Sequence, residues 1–335
     1  MTPSVCSTSY DAYSAPEATL QACGDKAYPL TSVTTTGDGG HAYHYKMDGM
    51  EAITRVPPSS FQPAHASTSE LSMYGLKEPP ANSPRHARWE YIINHIHFDT
   101  GPPAPRLIIV PNEENYNIGP AGNIGSEAGT ASSENWSGYL NYSSYQQYTA
   151  ATAIYPEPNP SATCTKASEV TWAGLGGYNS HNLAQDGSAY AAPGLGNHQA
   201  WWEILPAGYV GVPGYYATTG DYFEAETYYI DSKKVEFWFY NSANNKSYGV
   251  EVITSSGLDR STADFIVERP RVKGYYVPLA DFGSQEIDGY TEYTQLSKYP
   301  SNVLSMYSKS TLLASPGALG ASFIDSWYNC GKEEE

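Results

Sequence analysis

Lys234-Val235-Glu236-Phe237-Trp238-Phe239-Tyr240 alternates two sets of side chains, Val235, Phe237 and Phe239 against Glu236, Trp238 and Tyr240. A period of two places the sets on opposite faces of a β-strand, and β-branched and aromatic residues suit a pleated, buried surface. Tyr248 to Thr254 and Thr262 to Glu268 have the same character, with Asn244-Asn245 and Ser255-Ser256-Gly257 as turns between strands. Many short strands without a long helix predict an all-β chain, an antiparallel sandwich or barrel, with a sandwich of two packed sheets the favoured form.

Upstream the character changes. Six of the eight histidines (41, 44, 65, 86, 95 and 97) precede residue 131, and only His181 and His198 follow it. Gly101-Pro102-Pro103, Gly119-Pro120-Ala121-Gly122 and Gly125 to Gly129 punctuate a linker or cleavage zone over about 101–130. The expected division is therefore 1–130, an N-terminal region, and 131–335, the β-sandwich. Ser67 and Glu70 form a capping-box pattern for a short helix through Met73. Ser83 as N-cap and Pro84 at the first position lead a second helix with Trp89, Ile92, Ile93 and Ile96 on one face. Residues 1–60 read as irregular or partly strand.

The chain has 335 residues, 40% of them hydrophobic, with 30 Tyr and 7 Trp, enough for a sizeable core. Its formal charge is -17, with only 18 Lys and Arg, which excludes nucleic acid and anionic membranes as partners. Only 16% of residues are charged, so the surface relies on neutral hydrogen-bonding groups that tolerate acid. No stretch is apolar enough to span a membrane. Cys6, Cys23, Cys164 and Cys330 are too scattered for a zinc site. An even number fits disulfides in an oxidising compartment; Cys6–Cys23 with Cys164–Cys330 is the expected pairing among three, with free thiols the alternative.

Several constellations carry no chemistry. Asp99-Thr100-Gly101 is a single copy of a motif that aspartic peptidases need twice, and reads as a turn. Neither His181 nor His198 accompanies a Gly-x-Ser-x-Gly nucleophile elbow. His95-Ile96-His97 lacks a third ligand, so neither metal nor other cofactor is expected. Asn135, Asn141 and Asn245 head glycosylation sequons, relevant only in a eukaryotic source.

Five ordered segments do carry chemistry: Asn135-Trp136-Ser137-Gly138-Tyr139, Thr171-Trp172-Ala173-Gly174-Leu175-Gly176-Gly177, Leu183-Ala184-Gln185-Asp186-Gly187, Ala200-Trp201-Trp202-Glu203-Ile204-Leu205-Pro206, and Ala263-Asp264-Phe265-Ile266-Val267-Glu268-Arg269-Pro270. Together they resemble the glutamic peptidases, or eqolisins. Gly220-Asp221 and Val277 to Phe282 look like further family positions. The resemblance implies a sandwich of two curved, concanavalin-like sheets and an acid-acting, pepstatin-insensitive endopeptidase. It puts the catalytic pair on Gln185 and Glu268, with Trp172 and Glu203 as substrate-side positions. Gly176 stands where fungal members carry an acidic residue, and Asp264-Phe265 replaces their commoner Glu-Trp.

Those residue types suit peptide hydrolysis. Glu268 can take a proton from an attacking water and return it to the leaving amine, and Gln185 can orient that water and donate to the oxyanion at any pH. A solvated glutamate, with a pKa of about 4.3, remains partly ionised in acid where a histidine does not. The resemblance further implies polypeptide substrates, secretion and a monomer. The stretch Val56 to Leu76 looks like segments that precede the catalytic domain in bacterial members. It belongs to a prosegment, with Arg85 or Arg88 facing Glu268, or to a permanent extension. Residues 1–130 hold 7 Lys and Arg against 13 Asp and Glu, against expectation for a basic inhibitor. The alternative function is a carbohydrate-binding or glycoside-cleaving sandwich using pairs from Glu203, Glu224, Glu226 and Glu268.

Overall fold

The computed structural model describes residues 20, 24–110, 129–145, 147–178, 180, 182–190, 197–272, 275–293, 297–298, 302–319 and 322–332. In the N-terminal region, β1 (Lys26–Thr35), β2 (His41–Met47) and β3 (Met50–Val56) form an antiparallel meander. After a 3-10 turn (Pro63–His65) come α1 (Thr68–Met73), α2 (His86–His95), the short β4 (His97–Phe98) and β5 (Arg106–Val110). Ser67 and Glu70 close the capping box that starts α1. Ser83 instead holds the turn before α2, accepting from the Arg85 N–H, so that helix begins later than its sequence pattern suggested. The expected linker is partly strand: β5 pairs with β1 through Lys26 to Pro29. Residues 111–128, the rest of that zone, lie outside the described residues.

The second part is strand almost throughout: β6 (Gly129–Ser133), β7 (Trp136–Tyr142), β8 (Tyr148–Pro156), β9 (Glu169–Gly176), β10 (Leu183–Tyr190), β11 (Asn197–Ile204), β12 (Gly208–Thr218), β13 (Tyr222–Asp231), β14 (Lys234–Asn241), β15 (Lys246–Thr254) and β16 (Thr262–Glu268). There follow β17 (Arg271–Val272), β18 (Tyr275–Tyr276), β19 (Ser284–Tyr293), β20 (Ser297–Lys298), β21 (Asn302–Ser308), β22 (Thr311–Leu319) and β23 (Ser322–Trp327). One sheet runs β12-β11-β10-β9-β16-β7. The other runs β23-β19-β8-β13-β14-β15. On one side β21 and β22 carry the pairing from β7 to β23. On the other, β3-β2-β1-β5 carries it from β15 to β12. The ladder of hydrogen bonds therefore returns on itself, and the N-terminal strands close one side of the sandwich.

The deciding stretch, β14, explains its own two-faced pattern. Val235, Phe237 and Phe239 are buried in the core between the sheets, with Trp202, Phe223 and Val250. Trp238 and Tyr240 point the other way and are covered by Leu71, Leu76, Ile92 and Ile96 of the N-terminal region. Glu236 on that face pairs with Lys77 at 2.8 Å.

Arg85 and Arg88 do not face Glu268. On β13, Phe223 and Ala225 point into the core, so the intervening Glu224 and Glu226 point outward under the N-terminal helices. Arg85 donates to Glu224 at 3.1 Å and to Glu226, while Arg88 Nε donates to Glu224 at 2.6 Å. A buried guanidinium needs such partners, and β13 provides them on the side of the sandwich away from Glu268.

The core also holds carboxyl groups paired with hydroxyls rather than with cations. Thr227 donates to Asp186 at 2.8 Å, Ser137 to Asp325 at 2.8 Å and Thr171 to Glu169 at 2.5 Å. Burial pushes Glu169 and Asp325 up to about 7 and Asp186 well above the ordinary range. Burial works against a charged His198, but its bond to Glu157 at 2.9 Å, the charges of Glu157 and Glu169 and the Pro158 carbonyl together raise its pKa. Cys164 and Cys330 form a disulfide across 166 residues; Cys6 and Cys23 lie outside the described residues. Among the described residues no helix is long and apolar enough to cross a membrane.

Folding raises the pKa of these core groups, so the stability they add is complete below their unfolded values and is lost as pH climbs through the folded ones. The melting temperature is expected to be highest near about pH 4 and to fall by several degrees toward about pH 7. Calorimetry across that range checks this, and a rising melting temperature contradicts it.

Candidate active site

The outer face of the first sheet gathers the motif residues by register. On β9, Ala173 and Leu175 enter the core, which turns Val170, Trp172 and Gly174 outward. Gly187 of β10 and Ile266 of β16 lie beside Trp172, and Gln185 and Asp264 lie beside Gly174. Glu268 pairs with Val170 and with Trp136 of β7, and Glu203 of β11 pairs with Gln185. One face thus carries all four expected site residues, Gln185, Glu268, Trp172 and Glu203.

Glu268 is held by donors. Trp172 Nε1 donates to its Oε2 at 2.9 Å and Asn135 Nδ2 to its Oε1 at 2.9 Å. The Trp136 indole N–H contributes a further bond to this carboxylate. The two indoles meet edge to face, with centroids 5.0 Å apart. Trp172 is therefore both core and site: its ring is fully buried with Trp136, Leu140 and Trp201, and its N–H reaches the carboxylate.

On the other side of Trp172, Gln185 Nε2 donates to Glu203 Oε2 at 2.5 Å. Gln185 Oε1 is buried and accepts from no protein group. Gln185 and Glu268 do not bond each other; Trp172 lies between them in register.

The electrostatics differ from the sequence reading in one respect. Glu268 is not an ordinary solvated carboxylate. Although its side chain keeps partial contact with solvent, burial pushes it up to about 8, and the negative charge of Glu203 adds to the rise. The bonds from Trp172, Asn135 and Trp136 oppose that shift. Burial likewise pushes Glu203 up to about 7, against the pull of the Gln185 bond. The carboxylate fraction of Glu268 in acid is consequently small.

Two glycines shape this face. A Cβ on Gly187 would lie 2.0 Å from the Thr171 carbonyl oxygen and 2.8 Å from Trp172 Cα, so only glycine lets β9 lie this close. Gly176 has φ +88°, and a Cβ there would meet Asn182 O at 2.5 Å and Asp259 Cβ at 2.9 Å, which leaves no space for an acidic side chain.

Other sequence candidates lie elsewhere. Glu224 and Glu226 are engaged by arginines on the other sheet, so they form no carboxylate pair with Glu268 for glycoside cleavage. His95 Nδ1 lies 2.7 Å from the Tyr91 carbonyl oxygen, and His181 lies outside the described residues. Among the described residues no group of His, Cys, Asp and Glu is arranged to hold a metal ion. The contact that sequence reasoning missed is Asn135, quoted in the opening motif without a role.

The Peptidase A4 family model matches residues 134–319, more than half of the chain. This chain belongs to the Peptidase A4 family. It is a glutamic-type endopeptidase, and its substrates are polypeptides. Its fold is similar to that of scytalido-glutamic peptidase crystallised with a peptide-based transition-state analogue, at 19% identity and a TM-score of 0.52 over 58% of this chain and 98% of that one. The same peptidase with a transition-state analogue inhibitor gives 18% identity and a TM-score of 0.53, again over 58% and 98%. Aspergilloglutamic peptidase from Aspergillus niger is 18% identical over 48% of this chain and 99% of that one, at a TM-score of 0.46. At such identities the likeness is one of fold. No curated protein matches the chain.

Gly187→Ala is expected to leave the protein folded but to displace Trp172 from Glu268, lowering kcat/KM by at least about tenfold for a lost positioning contact. Peptide cleavage measured alongside the melting temperature checks this; unchanged kcat/KM would mean that β9 yields without moving the indole.

Proposed function

We propose that this peptidase works by a Gln185/Glu268 pair. Glu268 takes the proton of a water attacking the peptide carbonyl and returns it to the leaving amine. Gln185 orients that water through its carboxamide oxygen and stabilises the oxyanion through its NH2 group. The observation that carries this reading is the buried Gln185 Oε1, an acceptor with no protein partner, on the same face as a carboxylate fixed by indole and amide donors. Glu203 fixes the rotamer of Gln185, and Trp172 fixes that of Glu268.

The pH dependence follows from two opposing trends. Base catalysis by Glu268 grows as pH rises toward its raised pKa, whereas the buried carboxyl groups lose stability in the same direction. Together they favour a mildly acidic working range over a strongly acidic one. The expected assay is digestion of denatured haemoglobin between about pH 2 and 8 with pepstatin present. The parent cleaves; Glu268→Gln and Gln185→Ala each lose at least about a hundredfold in kcat. Full activity in either variant removes that residue from the mechanism.

The protein is read as a secreted monomer that needs no metal or organic cofactor, and the Cys164–Cys330 disulfide suits an oxidising compartment. Residues 1–130 are read as a permanent extension of the 131–335 catalytic sandwich. What supports this is strand pairing at both ends, β3 with β15 and β5 with β12, together with the buried Arg85. Nicking between 111 and 128 is therefore expected to leave the N-terminal fragment bound and activity unchanged. Size-exclusion chromatography with mass spectrometry reads the outcome, and release of the fragment with a rise in activity supports a prosegment instead.

A further inference from the structure

Asn135 occupies an unusual position for a polar residue in a turn. The residue is 8% exposed, and it lies just before β7, the strand that pairs with the Glu268 end of β16. Every polar group on it is committed. Ser133 Oγ lies 3.1 Å from Asn135 Oδ1 and donates to it, while the same hydroxyl accepts from the backbone N–H of Asn135 and of Trp136. The Asn135 carbonyl accepts from the Arg269 N–H at 2.8 Å, tying it to the residue that follows Glu268. With Oδ1 taken by Ser133, the amide can present only Nδ2 to Glu268, so the hydroxyl selects the orientation of the carboxamide.

We propose that Asn135 is a positioning residue for Glu268, a non-titrating donor that fixes Oε1 and, with Trp172 on Oε2, sets the plane of the carboxylate. The proposal rests on Glu268 being the general base. A donor to a half-buried carboxylate favours the charged form over the protonated one, so Asn135 also makes the base available at lower pH. An amide suits this task in a site that must work in acid, because it donates the same hydrogen bond at every pH. A Lys or Arg there would form an ion pair with the base and hold it as an inert carboxylate. A carboxyl group would compete with Glu268 for the proton.

The test compares kcat, KM and the ascending limb of the pH–rate profile for the parent, Asn135→Ala, Asn135→Asp and Ser133→Ala on one quenched-fluorescence peptide. Asn135→Ala is expected to lower kcat by about ten- to a hundredfold with KM within about twofold, and to move the limb upward by about one pH unit. Asn135→Asp keeps the shape of the side chain and is expected to move the limb further, because a second carboxyl faces Glu268. Ser133→Ala, which frees the amide without removing it, moves the limb in the same direction by less. A purely structural Asn135 lowers the melting temperature and the active fraction but leaves the limb in place. A limb unmoved in Asn135→Asp and Ser133→Ala, with Glu268→Gln inactive, overturns the positioning role alone. A fully active Glu268→Gln overturns the general-base reading, and this proposal with it.

Discussion

A carboxylate on the face of a buried strand has to be given hydrogen-bond donors, and Glu268 receives them from the Trp172 indole and the Asn135 amide. That pair of bonds dictates much of the surrounding sequence. Gly187 of β10 lies beside Trp172, and with no Cβ to strike the Thr171 carbonyl or Trp172 Cα it leaves the Trp172 backbone undisturbed in its place between β10 and β16. Ser133 donates to the oxygen of the Asn135 amide while its Nδ2 donates to Glu268. Trp136 then closes the indole pair edge to face. Short motifs far apart in sequence are thus parts of one hydrogen-bond arrangement, which accounts for small and aromatic residues alternating within them.

The protein handles acid differently in its core and at its site. In the core, carboxyl groups sit opposite hydroxyls, an arrangement that needs no cation and survives protonation. Ion pairs are used where the N-terminal region docks, with Arg85 and Arg88 against Glu224 and Glu226. At the site, burial and Glu203 lift Glu268, and three neutral donors restrain the lift. A histidine or lysine beside Glu268 would restrain it more strongly but would also remove its basicity. On the proposed mechanism, neutral donors leave Glu268 able to take a proton and give it back, as a group acting first as base and then as acid requires.

Much of this is legible in the sequence. Alternation in Lys234 to Tyr240 announced a strand with two distinct faces, and the structure assigns one face to the core and the other to Leu71, Ile92 and their neighbours. Ordered motifs carried Gln185, Glu268, Trp172 and Glu203, because residues held by register recur with fixed neighbours. Other features were not legible, for identifiable reasons. Local spacing cannot reveal that Arg85 meets Glu224 and Glu226 across about 140 residues, since only the parity of β13 decides which way those carboxylates point. The raised pKa of Glu268 depends on burial and on the charge of Glu203 from β11, which no single segment encodes. Asn135 stood in a recognised motif, but its contact with Glu268 appears only in the fold, where Arg269 and Ser133 also bond it.

The N-terminal strands connect to the site through register rather than through direct contact. On β5, Ile109 and Val110 pair with Val210 and Tyr209 of β12; Tyr209 pairs with Glu203 of β11, and Glu203 with Gln185 of β10. Without β5, the backbone N–H and C=O groups of Tyr209 and Val210 become a sheet edge two strands from Gln185. An edge strand twists and frays more readily than an interior one, and Glu203 relies on β12 to keep its carboxylate aimed at the Gln185 amide. The region that precedes the family match in sequence therefore lies, in the fold, within the same sheet as the site it supports.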